Sequence, residues 1–367
     1  MGRRVIVALL PLLLAALCLP ARALTLEEAV SIQEDELDMG RLERSAAENG
    51  GMAEYGVGLD EGLAGLLDTG TRELGGVFRR AARSGVLILV ILLFCGLAQT
   101  VQEGMGDSQV RTVSLAGTLA VAAVAVADVN ALLGMGTEAI GKMTSFANVL
   151  LPTVAVVTAA TGAITGAAAR QLAAALFSDV LVNVINGLLI PLLYGYIAAS
   201  VAQAATGQEG LKRLADLLKW AVTTVLTIVM LVFVGYLTAS GAVAGGADAA
   251  TVKAAKFAIS GAIPVVGGIL SDATETVLAS AGVLKGTVGV FGMMTILGIC
   301  LLPLLRLAVH YLVYKLVAAV SATMGSGSVW ELVDRISGAF GLVLGMMGAC
   351  CLLLLIALVS CVSVAAV

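Results

Sequence analysis

The sequence predicts an all-α fold, a polytopic transmembrane helical bundle with a candidate re-entrant or broken-helix segment. Hydrophobic residues make up 59% of the 367 residues and charged residues only 13%, which is about half the charged share of a soluble domain. So few charges could not cover a water-exposed surface of this size, which makes lipid the solvent for most of the chain. The 43 glycines and the 4% aromatic content favour helices packed through small residues over a β-barrel with aromatic girdles.

Residues 1–23 have the pattern of a secretory signal peptide. Arg3 and Arg4 precede an apolar core, and an Ala-Arg-Ala cleavage site follows at 21–23. The core is shorter than the roughly 20 residues that a membrane-spanning helix needs. The sequence therefore predicts export of the N-terminus, and an uncleaved first anchor is the alternative interpretation.

Residues 24–83 are predicted to be an acidic exported segment, because they carry 13 acidic residues against six arginines. A helix is expected to begin near Thr25. A segment with so few large apolar groups would form a weak core alone, so we expect partial order or docking to a partner. Residues 59–83 are predicted to form an amphipathic helix that leads into the membrane. The arginines at 79–83 are an exception to the preference of basic residues for the cytoplasmic side.

Residues 84–367 are predicted to be a multi-span membrane domain, with about six or seven hydrophobic spans in the whole chain. The apolar runs cover 85–101, 113–133, 146–164, 172–201, 221–244, 257–270, 288–320 and 338–364. Two of them, 146–164 and 257–270, contain proline together with many small residues. They are the candidates for broken or re-entrant segments, which a membrane tolerates only where they are buried in protein or line a cavity.

The loop charges leave the orientation of the spans open. Lys212, Arg213 and Lys219 favour a cytoplasmic position for the stretch 206–220. If every earlier run spans, an exported N-terminus puts this stretch outside, and if 146–164 is re-entrant, the stretch lies inside. A row of leucines also makes the stretch amphipathic, so it is expected to lie along the membrane surface.

Charged and amide side chains at membrane depth are functional candidates, because they are costly to place in lipid. Asp179, Asn183 and Asn186 follow the spacing i, i+4, i+7 and share one face of the helix predicted over 172–202. That face is a candidate for a polar passage or an assembly surface. The alternative is a hydrogen-bonded stripe that only joins helices of the bundle.

Asp128 and Asn130, near the end of the second span, leave the same two alternatives open. Arg306, His310 and Tyr314 also share one helix face, where the single histidine is a proton relay or a structural residue. The six cysteines lie in apolar runs without a metal-binding spacing and are predicted to be small buried hydrophobes.

The Gly-Met-Gly-Asp tetrad at 104–107 matches the GxGD pattern of intramembrane aspartyl proteases, which need a second membrane aspartate. Asp128 is the nearest candidate, but its neighbours do not match, and a hydrophilic turn between two spans explains the tetrad. No P-loop, HExxH motif, nucleophile elbow or kinase signature occurs in the sequence. The sequence therefore predicts no enzyme, no cofactor and no metal site.

The stretch 235–286 is too polar for one ordinary span and too apolar for a loop. Glycines and a proline at 260–268 would break a helix near the middle of the membrane, and broken helices line binding sites in transporters. Lysines precede the break by one turn, and acidic residues follow it. The candidate passage or assembly residues of this stretch are Gly261, Pro264, Gly267, Gly268, Asp272 and Glu275.

This stretch, and Ala239 through Gly286 in particular, closely resembles the stage III sporulation protein AE family of endospore-forming Firmicutes. The resemblance extends over the signal sequence, the acidic exported segment, the multi-span body and the length of the chain. It implies a non-enzymatic membrane subunit of a secretion-like channel that links mother cell and forespore and that late forespore development needs. It implies a role and a location, and no active site.

The partners implied by the resemblance are the other membrane proteins of the stage III sporulation A operon and a partner in the forespore membrane. The implied location is the mother-cell-derived membrane around the forespore, in contact with the lipid bilayer and without nucleic acid. The alternative function is an autonomous secondary transporter of a small solute, which predicts two similar halves that each contain an interrupted helix. Pro152 and Pro264 are the two positions that fit this alternative.

Overall fold

The computed structural model of the chain describes six ranges of residues, which are 39–51, 59–102, 107–160, 175–239, 287–323 and 327–362. These ranges are helical almost throughout, and none of them contains a strand. The predicted signal peptide and the candidate break at 260–268 lie outside them.

The helices of the described ranges are labelled in chain order. They are α1 (Met39–Glu48), α2 (Leu59–Gln102), α3 (Asp107–Ala160), α4 (Ala175–Thr206), α5 (Glu209–Ala239), α6 (Thr287–Ala322) and α7 (Gly327–Val362). Helices α2 to α7 are each long and apolar enough to cross a membrane. The all-α, polytopic fold predicted from the sequence is therefore confirmed.

Helix α2 unites two regions that were predicted to be separate. It is continuous over Leu59–Gln102, so the predicted amphipathic helix and the predicted first span form one helix. Its buried side recurs at helical spacing through Leu66, Gly70, Val77 and Ala81. The domain boundary at 83 stays a prediction, and no helix break marks it.

Helix α3 is also continuous and has 54 residues, which is about 80 Å at 1.5 Å per residue. The prediction of a separate or re-entrant segment is therefore wrong for residues 146–160, which continue the helix of the second predicted span. Glu138 and Lys142 lower the hydropathy between the two runs, but they form an i,i+4 ion pair of 2.7 Å on the exposed side. This pair is compatible with an uninterrupted helix, and so is Pro152, which lies inside it.

Helix α4 contains a π-helical turn at Ile185–Leu189, directly before Pro191. A proline has no N–H to donate, and its ring presses on the carbonyl group four residues earlier. The wider turn relieves this contact, and the N–H of Ile190 donates to the carbonyl of Ile185 instead. The proline in this run therefore alters the helix without ending it.

Helices α4 and α5 form a tight hairpin. Gly207 closes α4 with a left-handed backbone, φ 71°, and its N–H donates to the carbonyl of Gln203 at 2.7 Å. Helix α5 then runs unbroken over Glu209–Ala239. The basic stretch after the turn forms the first turns of this long helix, so the separate surface helix expected from the sequence is not present.

Contacts along α6 fix the direction of α2. Gly70 of α2 faces Leu301, and Gly85 of α2 faces Val313 and Val317. The two helices are therefore parallel. At Gly85 they approach so closely that an added Cβ would lie 2.8 Å from the Val313 side chain.

Helix α3 runs antiparallel to α6. Phe146 of α3 packs edge-on against Phe291, with 6.4 Å between the ring centroids, while Asp128 lies beside Tyr314. Among the described helices, α4 and α6 end, and α5 and α7 begin, at the same end of the bundle. We call this the charged end, and the opposite one the far end.

Helix α7 is the central helix of the bundle. It packs on α3, α4, α5 and α6, and 94% of its apolar stretch is buried. Helix α2 packs on α3 and α6 at the outside, and only 22% of its apolar stretch is buried. The core thus surrounds α7, and α2 is a peripheral helix.

Candidate functional site

The charged end is held together by an ionic network around Arg335 of α7. Its side chain is only 10% exposed and donates to Asp216 of α5 at 2.9 Å and to Glu331 at 3.4 Å. Glu331 also pairs with Lys212 of α5 at 3.0 Å and accepts a hydrogen bond from Gln203 of α4 at 3.4 Å. One arginine and one glutamate therefore join three helices.

Two further contacts add α6 and strengthen the link to α4. Lys315, near the end of α6, pairs with Asp334 of α7. The hydroxyl group of Tyr196 on α4 donates to the backbone carbonyl of Arg335 at 2.7 Å, and the Tyr196 side chain is almost wholly buried. The network thus fixes the relative positions of α4, α5, α6 and α7.

A cleft of about 400 Å³ opens beside this network. It is lined by Asp216, Lys219, Trp220, Thr223, Tyr311, Lys315, Asp334, Ser337 and Gly338. Within the described part of the chain, Lys219 makes neither an ion pair nor a hydrogen bond through its side chain. The cleft therefore offers both signs of charge, a free ammonium group and two aromatic rings. Among the residues that the structure describes, no group of three metal-binding side chains lies together.

The predicted polar row of α4 is present on one helix side. Asp179, Asn183 and Asn186 are all exposed, and the Asn183 amide donates to the Asp179 carboxylate at 3.1 Å. None of the three bonds to another helix within the ranges described above. The alternative of a hydrogen-bonded stripe that joins helices within the bundle therefore gains no support from the described residues.

Asp128 has a structural partner. The hydroxyl group of Tyr314 on α6 donates to the Asp128 carboxylate at 2.6 Å, and Tyr314 is fully buried with its ring edge-on to Phe340. This bond joins α3 to α6 near the charged end. Asn130 is exposed on α3.

His310 is packed in the core. It is 8% exposed, its Nδ1 lies 2.8 Å from the carbonyl oxygen of Arg306, and its ring lies 6.0 Å from that of Phe340. The Arg306 guanidinium contacts the sulfur of Met135 at 3.4 Å. These contacts are those of a structural histidine, because they bring no carboxylate to the ring.

Four cysteines whose side chains the structure describes are free, as expected for small hydrophobes. Cys300, Cys350 and Cys351 are buried and Cys95 is partly exposed. The sulfurs of Cys300 and Cys351 lie 3.1 Å apart between α6 and α7.

The remaining candidates fall outside the described residues. Of the protease-like tetrad at 104–107, the structure describes only the last residue, Asp107, at the start of α3. The six candidates of the stretch 235–286 are also uncovered; they are Gly261, Pro264, Gly267, Gly268, Asp272 and Glu275. Their assignment to a passage or an assembly surface stays a prediction.

The sequence did not point to the ionic network as a site. Arg335 and Asp216 lie 119 positions apart, and each occurs in a mixed-charge flank of an apolar run. In the sequence, Lys212 and Lys219 indicate only the orientation of the spans. The one available signal was that both flanks carry acids and bases one helical turn apart.

The bundle of long apolar helices defines the class of the protein, which is a multi-pass α-helical membrane protein. The chain belongs to the stage III sporulation protein AE family, whose sequence model matches residues 60–365. That match begins at the start of α2 and includes all six long apolar helices. The chain is therefore a sporulation membrane protein, and its family is not a known enzyme family.

The chain is also similar to the stage III sporulation protein AE of Bacillus subtilis (strain 168). The two are 31% identical over 261 residues, a region that covers 69% of this chain and 63% of that relative. The match thus spans somewhat less than two thirds of the relative's length. No solved structure matches the chain.

Proposed function

We propose that this protein is a non-enzymatic subunit of a secretion-like channel that links mother cell and forespore and supports late forespore development. Its partners are other membrane proteins of the stage III sporulation A operon and a protein of the forespore membrane. Family membership supports the role in sporulation. The assembly role rests on the polar row of α4, which projects from the described bundle.

The polar row argues for a partner because of where it lies. Asp179 and Asn183 lie on a helix that is apolar enough to span a membrane. Polar side chains at such depth face protein or water rather than lipid. In the proposed assembly, another subunit, or an aqueous space that subunits enclose together, covers this row.

The orientation follows from the helix count and the charges. If the N-terminus is exported, the three crossings by α2, α3 and α4 put the turn at 207–208 on the cytoplasmic side. Lys212, Arg213 and Lys219 then follow the preference of basic residues for the cytoplasm. Lys315 lies at the same end, since it pairs with Asp334. The charged end therefore faces the mother-cell cytoplasm.

The arginines of α2 fit the same orientation. Gly85 faces Val313 and Val317, close to Lys315, so Arg83 lies near the charged end. Arg79 and Arg80 lie about one turn further from it.

Purification of the tagged full-length protein from sporulating cells tests the proposal. The native protein is expected to retain membrane proteins of the A operon, and Asp179→Ala with Asn183→Ala is expected to lose at least one of them and to reduce spore formation. Leu188→Ala, an exposed apolar neighbour on the same helix, is the matched control and should behave as the native protein. Normal co-purification and sporulation of the double variant would contradict the assembly role.

The alternative of an autonomous transporter has lost its support in the first half of the chain. Pro152 lies inside the continuous helix α3 and does not interrupt it, so no pair of interrupted helices is formed with it. Uptake of a small solute by the purified protein alone in liposomes would favour the transporter over the channel subunit.

A further inference from the structure

The cleft at the charged end is built by three helices. Of the described residues that line it, four lie on α5, two on α6 and three on α7. Helices α5 and α6 both pack on α7, which therefore forms the floor between them. The volume of the cleft, about 400 Å³, lies within the range of small-molecule sites.

The half-buried Lys219 reaches the floor of this cleft. Gly338 of α7 is buried, and a Cβ added to it would lie 3.5 Å from the Lys219 Nζ. The ammonium group therefore occupies the space that a larger side chain at position 338 would need. It lies at the bottom of the cleft and not at its rim.

The acidic groups that line the cleft already have basic partners. Asp216 accepts from the Arg335 guanidinium at 2.9 Å, and Asp334 pairs with Lys315. In the described chain, Lys219 makes no such pair, although both carboxylates line the same cleft. The cleft therefore keeps one positive charge that is not neutralised.

The remaining ion pair of the network does not alter this balance. Glu331 pairs with Lys212 as well as with Arg335. Among the residues that the structure describes, the network and the cleft together therefore hold four basic and three acidic side chains. A partly desolvated ammonium group without a partner is costly, and an anion in the cleft would neutralise it.

The lining of the cleft indicates which anion fits. A phosphate group has several oxygens, and it can accept hydrogen bonds from Lys219 and Lys315 at once. Each ammonium group has three donors, and Lys315 uses one of them on Asp334. The rings of Trp220 and Tyr311 provide apolar walls for the organic part of such a ligand.

We propose that this cleft binds a phosphate ester through Lys219, with Lys315 as the second ammonium group. The ester is the headgroup of an anionic phospholipid or a soluble phosphate monoester, since both present the same phosphate chemistry to the two lysines. The site depends on the packing of α5, α6 and α7 alone, so it does not rest on the channel function proposed above.

Protection of Lys219 from acylation tests this proposal. The full-length protein in detergent is treated with an amine-acylating reagent, and peptide mass spectrometry measures the modified fraction of each lysine. The probes are phosphatidylglycerol, phosphatidylcholine, glycerol 3-phosphate and acetate, at equal ionic strength. Phosphatidylglycerol or glycerol 3-phosphate, well above its dissociation constant, is expected to slow the acylation of Lys219 about fivefold or more, since the bound fraction follows mass action.

Lys212 is the control within the same molecule. It lies on the same helix and at the same end, but it pairs with Glu331 and does not line the cleft. A bound phosphate ester should therefore leave the acylation rate of Lys212 unchanged.

Two variants test the charge balance. Lys315→Gln leaves the Asp334 carboxylate free to pair with Lys219, so the protection of Lys219 by either phosphate ester should be lost. Arg213→Gln removes the same charge from an exposed side chain of α5 outside the cleft and should keep the protection. Full protection in Lys315→Gln would contradict the proposal.

Each outcome with the native protein decides the proposal. Protection by phosphatidylglycerol alone assigns the cleft to a lipid headgroup, and protection by glycerol 3-phosphate assigns it to a soluble ester; both results support the proposal. Absence of protection by every probe overturns it. Equal protection by phosphatidylcholine or by acetate also overturns it, because the net charge or the phosphate group then has no role. Equal slowing at Lys212 overturns it as well, since anions then gather at the charged end without a site.

Discussion

Helices α7 and α2 are both apolar enough to cross a membrane, but their surroundings are opposite. Of the apolar stretch of α7, 94% is buried among four other helices, whereas 22% of that of α2 is buried. Helix α7 carries its charges in its first turns, where each of them is paired across the charged end. Helix α2 carries charges along half its length on an exposed side.

The difference shows that apolar residues of equal hydropathy can have two separate roles. An apolar residue of α7 contributes to a packed core, while an exposed apolar residue of α2 contributes to contact with lipid or a partner. Loss of core packing lowers the free energy of unfolding, whereas a change on an outer side acts mainly on assembly or transport. Substitutions in the two helices should therefore separate these effects.

The largest effect is expected for Phe340→Ala in α7. Phe340 is fully buried, edge-on to Tyr314 at 4.9 Å, and removal of a buried phenylalanine costs about 3–5 kcal/mol of unfolding free energy. Leu97→Ala on α2, where the side chain is 56% exposed, should cost less than about 0.5 kcal/mol. Denaturant unfolding in detergent measures the unfolding free energy of both variants. Equal losses would contradict the difference between the two helices.

A smaller effect is expected for Arg335→Ala at the charged end. The substitution leaves Glu331 and Asp216 without their shared guanidinium, and we expect a loss of about 2–3 kcal/mol, reduced from that of a buried pair because Asp216 is 60% exposed. Arg335→Lys keeps the charge but not the two-pronged geometry, so its loss should be intermediate. A lysine variant as unstable as the alanine variant would mean that the two-pronged geometry, rather than the charge alone, matters there.

The smallest effects are expected at two glycines of α2. Gly85→Ala puts a methyl group 2.8 Å from Val313, and the α2–α6 contact should weaken by about 1–2 kcal/mol. Gly75→Ala meets nothing within 4 Å and should stabilise the helix by up to about 1 kcal/mol. A lower unfolding temperature for Gly85→Ala and a higher one for Gly75→Ala would confirm that the two sides of α2 differ. Lower unfolding temperatures for both variants would show that the outer side is also packed.

The fold could be predicted because membrane helices leave a local signal. A long run without charges, such as 338–364, indicates a spanning helix by composition alone, and α7 covers most of it. The same local signal gives a wrong prediction for the run at 146–164. Glu138 and Lys142 lower the local hydropathy, but their i,i+4 pairing, which hydropathy ignores, is compatible with an unbroken helix.

The candidate sites were only partly predictable. Helical spacing alone puts Asp179 and Asn183 on one side, but whether that side faces inwards depends on neighbours that are distant in sequence. The bond between Arg335 and Asp216 depends on the fold of the whole bundle, since 119 positions separate them. The bond between Tyr314 and Asp128, across 186 positions, could not be predicted from spacing either.

The π turn of α4 changes the angular phase of the helix. One extra residue in a turn sets everything after it back by about 100° relative to a regular α-helix. Leu181, Ile185, Leu189 and Leu193 are all buried at a constant spacing of four, a spacing that would drift by about 120° in a regular helix. The wider turn therefore keeps one buried side along α4, before and after the extra residue.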